Sequence, residues 1–282
     1  MEVRMKQIEG TLKTPQGMPE LFLRAWEPEK TVRAVMVLIH GLGEHSGRYG
    51  GDFASFYTKS GLAILAPDLP GHGQTKGKRG HIAQTAMFLD YLDLLVGEAN
   101  RRYPGKPLFI YGHSMGGLIT LWYTLDRHPQ TAGVIVTSPA IAIHDPVPGP
   151  KKVMAQIMDK LMPAFSMENG LAANLLSRDP QVVQAYKDDP LVHSRISARL
   201  GLMMIGQGQW IFAHAPENQN NLLAMIGSEE GIVSKDAVDQ FCKIAPRVTY
   251  KVWPNLFHEI HNEAEKQEVF DFTLDWIDKA MA

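Results

Sequence analysis

Apolar residues recur along this chain in two rhythms. Between Gly10 and Glu29 apolar and polar positions alternate, with Leu21, Leu23 and Ala25 on one parity and a turn at Pro15-Gln16-Gly17, which predicts a β-hairpin at a sheet edge. Unbroken apolar runs follow at 34–39, 61–67, 107–110, 132–138 and 221–227, and read as strands buried on both faces; 248–253 reads as the last strand. Helices are predicted between them, at about 51–59, 84–103, 118–125, 235–244 and 263–281. The second carries Phe88, Leu92, Leu95 and Ala99 on one face, and the last carries Val269, Phe272, Trp276 and Ala280 on one stripe, beside Phe270, Leu274, Ile277 and Met281. Strands that alternate with helices predict an α/β fold, a mostly parallel central sheet flanked by helices.

The rhythm breaks from about Ile141 to Pro216, where no buried β-run appears. Turns at Pro146, Pro148 and Pro150 open the segment, and Val153-Ile157-Leu161 and Ala198-Leu202-Ile205 repeat at helical spacing. Met154, Met158, Met162, Met167, Met203 and Met204 all fall there. Methionine is flexible and polarizable, so a surface that accommodates lipophilic shapes is the reading preferred over a plain helical core.

Composition narrows the function classes. Hydrophobic residues make up 45% and charged residues 21% of 282, which fits an ordinary globular chain large enough for a sizeable core. A formal net charge of −2 argues against nucleic-acid binding through a basic face. The single cysteine, Cys242, excludes an intramolecular disulfide and a cysteine metal cluster. The charged start Met1-Glu2-Val3-Arg4-Met5-Lys6 lacks the apolar region of a secretory signal, and no run reaches membrane-spanning length, so a cytoplasmic protein is expected.

Chemistry concentrates at Gly112-His113-Ser114-Met115-Gly116, a G-x-S-x-G between a predicted strand and a predicted helix. At such a corner the flanking glycines let neighbouring backbone pass closely, and the serine hydroxyl is presented above the sheet beside a helix N-terminus. A serine needs a base, normally histidine oriented by an acid, and this fold order places them as Ser, then acid, then His. His258 follows the last strand directly and is preferred to His261; His113, beside the nucleophile, is expected to point to the other side of the elbow. Glu229, Glu230 and Asp236 all lie near the end of the 221–227 strand, and Glu230 is preferred because Gly231-Ile232-Val233 turns the chain there.

Two other motifs fail. Gly41 and Gly43 begin a dinucleotide fingerprint, but Ser46 stands where its third glycine belongs, and an oxyanion loop is the better reading. His258-Glu259 begins a zinc-binding H-E-x-x-H, but Asn262 stands in place of the second histidine. Neither a cofactor nor a metal is expected.

These residues resemble the monoacylglycerol lipases of the α/β-hydrolase fold, in the group shared with lysophospholipases. The resemblance covers nearly the whole chain. It rests on the stretch from His40 to Tyr49, on Gly71-His72-Gly73 with Arg79-Gly80-His81, on the elbow from Gly112 to Gly117, on Gly227-Ser228-Glu229-Glu230 and on His258-Glu259-Ile260-His261. The family's usual acid is aspartate, and this chain has Glu230 at the matching place. The resemblance implies a helical cap at 141–212 inserted into a core of residues 1–140 and 213–282. It also implies oxyanion donors at the N–H groups of Leu42 and Met115, and glycerol contacts from Glu44, Arg48 and His261. The implied activity is hydrolysis of monoacylglycerols, or similar lipid esters, through an acyl-enzyme on Ser114, with His258 and Glu230 completing the triad. Transient contact with membrane surfaces through the cap is expected. A lysophospholipase or short-chain carboxylesterase is the runner-up, and a non-catalytic lipid carrier on the same fold is a distant third.

Overall fold

The computed structural model describes residues 5–145 and 147–282; the charged start at Met1–Arg4 and the turn expected at Pro146 lie outside the described residues. The predicted hairpin forms from β1 (Lys6–Leu12) and β2 (Leu21–Glu27), paired antiparallel with Leu12 opposite Leu21. The unbroken apolar runs become β3 (Ala34–Ile39), β4 (Leu62–Pro67), β5 (Leu108–His113) and β6 (Gly133–Thr137), every residue of which is buried. Between them lie α1 (Asp52–Lys59), α2 (Met87–Arg102) and α3 (Met115–Arg127).

After β6 the chain leaves the sheet. This insertion contains α4 (Gly149–Leu161), a short β7 (Ser166–Glu168), α5 (Pro180–Asp188), a short β8 (Arg195–Ser197) and α6 (Ala198–His214). The β7–β8 pair was invisible in the sequence because two three-residue strands with a single buried residue in all carry no buried run. The chain re-enters the sheet at β9 (Leu222–Gly227), continues through α7 (Lys235–Ile244) to β10 (Val248–Trp253), and closes with α8 (Lys266–Met281). The eight-stranded sheet has the order β1-β2-β4-β3-β5-β6-β9-β10; strands from β4 to β10 in that order run parallel, β2 runs antiparallel to β4, and β1 antiparallel to β2.

Strand alternation splits the core into two layers. Val35, Val37 and Ile39 join Leu92, Leu95 and Leu118 on one face, whereas Ala34, Met36 and Leu38 join Phe53, Tyr57, Phe270 and Trp276 on the other. Burying both faces explains why β3–β6 and β9 read as continuous apolar runs. The insertion is tied to the core along its length: Ser234 N–H donates to Ala142 O and Glu259 N–H to Leu176 O, His193 N–H donates to Gly43 O, Ser197 N–H to Gly80 O, and His45 Nε2 meets Asp189 Oδ2 at 2.8 Å. Among the described residues no helix is long and apolar enough to cross a membrane.

Candidate active site

Ser114 is the single residue between the end of β5 and the start of α3. Its φ of 54° and ψ of −118° lie outside the ordinary helical and extended regions, and such a conformation costs about 1–3 kcal/mol unless packing enforces it. The flanking glycines show the packing. A Cβ on Gly112 would stand 2.4 Å from Thr120 Oγ1, and one on Gly116 would stand 2.1 Å from Ile39 O. Backbone passes backbone at contact range on both sides of the serine, so only glycine fits at those two places.

His258 follows β10 and is buried; its carbonyl accepts from Ser138 Oγ at 2.9 Å. Its Nδ1 meets Glu230 Oε2 at 2.8 Å, and the other carboxylate oxygen accepts the N–H groups of Ile232 at 2.8 Å and Val233 at 3.1 Å. The turn therefore fixes the carboxylate, the carboxylate places the proton on Nδ1, and Nε2 remains for the cavity that His258 and Ser114 both line. The longer glutamate side chain is accommodated by that turn, with no gap to the histidine. Burial opposes charge on both groups, but mutual attraction outweighs it: the His258 pKa is raised and the Glu230 pKa is lowered. Glu229 is exposed and accepts only from Ser228, and Asp236 sits exposed in the first turn of α7.

The loop after β3 lies against the elbow. A Cβ on Gly41 would stand 3.2 Å from Ser114 Cβ and 2.9 Å from Glu44 Oε1. His40 Nε2 accepts from Leu69 N–H at 2.9 Å, so Nδ1 carries the proton and donates to Gly41 O at 2.8 Å. In a trans peptide the C=O and N–H point oppositely, so holding the Gly41 carbonyl also aims the Leu42 N–H. Burial lowers the His40 pKa, which keeps this donor–acceptor pattern intact near neutrality. Met115 opens α3, where helix N–H groups have no partner within the helix. Leu42 and Met115 thus stand on the two segments that flank Ser114.

Of the three residues expected at glycerol, Glu44 lines the cavity, while Arg48 and His261 stand behind its wall. The Arg48 guanidinium bonds Glu44 Oε2 at 2.7 Å and both oxygens of Glu259 at 2.6 and 2.8 Å. His261 stacks on Tyr49 at 5.0 Å with its Nδ1 buried and unpartnered, and burial brings its pKa down to about 4. His113 corrects an expectation. Its ring packs 4.8 Å from His258 and lines the cavity, because Ser114 at positive φ interrupts the alternation that would have separated the two side chains. Sequence reasoning missed Glu259, and it missed Leu171, Leu176 and Tyr186, which the insertion contributes to the cavity wall. Only tertiary structure brings these together. Among the described residues no group of three or more His, Cys, Asp or Glu side chains can hold a metal ion.

A buried acid–histidine pair beside a strained serine, with aimed backbone N–H groups, is equipped for acyl transfer. A protein-family model described as serine aminopeptidase, S33, matches residues 30–265. The monoacylglycerol lipase of Mycolicibacterium smegmatis is 36% identical over 257 residues, covering 89% of this chain and 90% of that one. An uncharacterized abhydrolase domain-containing protein of Dictyostelium discoideum is 38% identical over 263 residues; the alignment covers 91% of this chain but only 27% of that protein. The crystal structure of Paleococcus ferrophilus monoacylglycerol lipase matches with a TM-score of 0.84 at 30% identity, covering 92% of this chain and 99% of that one. The chain is a serine hydrolase of the α/β-hydrolase fold and belongs to the serine aminopeptidase S33 family.

Proposed function

We propose that this hydrolase cleaves monoacylglycerols to glycerol and free fatty acid, with Ser114 as nucleophile, His258 as base and Glu230 as the orienting acid. The observation that carries the reading is the 2.8 Å bond from Glu230 to His258 Nδ1, in the same cavity as a serine at φ 54°. Relatives named as monoacylglycerol lipases support the substrate class. Ser114 Oγ attacks the ester carbonyl as His258 Nε2 takes its proton. The oxyanion meets the N–H groups of Leu42 and Met115, each worth about 3 kcal/mol to the transition state. The C–O bond to glycerol breaks as His258 returns the proton to the leaving oxygen, and water then cleaves the acyl-enzyme by the same steps.

Charge in the cavity wall favours a neutral leaving alcohol. Glu44 and Glu259 face the site and share one guanidinium, Arg48, so the phosphate of a lysophospholipid would meet an excess negative charge. In this reading Glu44 contacts glycerol hydroxyls directly, and Arg48 and His261 shape the wall behind. The insertion acts as the cap. The cavity at Ser114 is only about 10 Å³, far below the ~300–1,000 Å³ of typical ligand pockets, so a long acyl chain enters when the cap shifts. The cap also carries Val153, Met154, Ile157, Leu161, Phe165 and Met167 exposed to solvent, and α4 buries no residue at all. A face of that kind fits transient docking on a lipid surface by a cytoplasmic protein.

The test is a hydrolysis panel of monoacylglycerols, lysophosphatidylcholine and p-nitrophenyl esters, run on wild type and Ser114→Ala, with a fluorophosphonate label on the serine. Monoacylglycerols should be preferred, and Ser114→Ala should lose activity by several orders of magnitude with its fold intact. Preference for lysophosphatidylcholine would make the lysophospholipase reading correct, and substantial activity in Ser114→Ala would overturn the mechanism.

A further inference from the structure

Glu259 entered as half of a failed zinc motif, and the mechanism above gives it no task. Yet it is 1% exposed and forms part of the cavity wall beside the base. Its carboxylate takes both ends of the Arg48 guanidinium, at 2.6 and 2.8 Å, and Asn262 Nδ2 donates to it at 2.8 Å. Burial pushes this carboxyl up, but Arg48 outweighs burial and holds its pKa at about 2. The same Arg48 Nη1 reaches Glu44 Oε2 at 2.7 Å, and Glu44 Oε1 accepts the Gly41 N–H at 2.7 Å and the Tyr49 hydroxyl at 3.0 Å. A continuous line of charge-assisted bonds thus runs from the residue after the base to Gly41 in the oxyanion loop. Glu259 and Arg48 are 211 positions apart in sequence, and their bidentate fork fixes angle as well as distance.

We propose that Glu259 is a positioning residue for acyl transfer: through Arg48 and Glu44 it sets the oxyanion loop against the His258 loop, and its charge favours the imidazolium that His258 becomes in the transition state. The inference rests on the triad reading given above. The groups that face His258 are Glu230 from the turn after β9, Glu44 from the oxyanion loop, His113 from β5, Tyr186 from the insertion, and Glu259 and His261 from its own segment. Burial opposes the imidazolium most, Glu230 is the main group that counters it, and Glu259 and Glu44 add to that attraction. Replacing Glu259 by a neutral residue removes one carboxylate and leaves the Arg48 charge less compensated. Both changes disfavour the imidazolium.

The experiment compares wild type, Glu259→Gln and Glu259→Asp on p-nitrophenyl butyrate and on a short-chain monoacylglycerol, with full pH profiles of kcat/KM. Glu259→Gln should lose about tenfold or more in kcat on both esters, an effect of the size that loop misplacement produces. Its KM for p-nitrophenyl butyrate should stay near wild type, and its acid limb should move to lower pH. Glu259→Asp keeps the charge but shortens the reach, so the acid limb should return to its wild-type position while kcat recovers only in part. If Glu259→Gln does not fold, as judged by circular dichroism and melting, Glu259→Asp alone carries the test through its lowered kcat. Unchanged kcat and acid limb on p-nitrophenyl butyrate would overturn the inference. A rise in KM confined to the monoacylglycerol would overturn it too, because that leaving group alone carries glycerol hydroxyls. A wild type inactive on both esters would instead remove the triad reading beneath it.

Discussion

Ser114 occupies a backbone conformation that glycine adopts with far less strain, so the residue on which the proposed chemistry depends works against stability. Ser114→Gly should therefore raise the melting temperature, by relief of about 1 kcal/mol, while abolishing ester hydrolysis. A lowered melting temperature would show that the elbow holds no strain. The acid can be tested beside it. Glu230→Gln should slow hydrolysis far more than Glu229→Gln, because only Glu230 reaches His258. Since the His258 pKa is raised in the folded protein, the base is neutral above that value, and kcat/KM should fall as pH drops through it. The acid limb of wild type should thus lie above the ordinary histidine value of about 6.5. Ser114, His258 and Glu230 were legible in sequence because each follows a recognisable strand. Glu259 and Arg48 were not legible as a pair, since nothing local marks two residues that meet only after folding. His113 was misplaced because nothing local marks how the positive φ at Ser114 turns the chain beside it.

At the scale of elements, legibility followed burial. Strands hidden on both faces announce themselves as apolar runs, and β3, β4, β6 and β9 begin and end within a residue or two of their predicted bounds. β1 starts at Lys6, earlier than predicted, because an exposed edge strand with few apolar residues has no apolar signature. The insertion was visible as a loss of rhythm, and its methionines divide: Met154, Met162 and Met167 are exposed, whereas Met203 is buried. A polar-substituted α4, with Val153, Met154, Ile157 and Leu161 replaced by serine or glutamine, should bind vesicles more weakly in co-sedimentation. Its turnover on a dissolved short-chain ester should stay normal, because α4 buries none of its residues and contributes none to the cavity wall. Equal vesicle binding by wild type and variant would reduce the exposed face to a passive lid.

Across the whole molecule, the chemistry gathers where the parallel strands end. Ser114 follows β5, Glu230 follows β9, His258 follows β10 and the oxyanion loop follows β3, so one edge of the sheet supplies every proposed catalytic group. The insertion departs after β6 and returns at β9, and these two strands pair directly, with Val134 opposite Leu222. For a folding chain, everything between them is a loop, and closing a flexible loop costs only about 0.6 kcal/mol more for each doubling of its length. The sheet can therefore complete its β6–β9 ladder almost regardless of how long the intervening segment is. Lengthening or shortening the part of that segment that buries nothing, such as α4, leaves the strands that hold Ser114 to fold as before, whereas α6, which packs Leu200, Met203 and Ile211 into the core, ties the rest of the insertion to core stability.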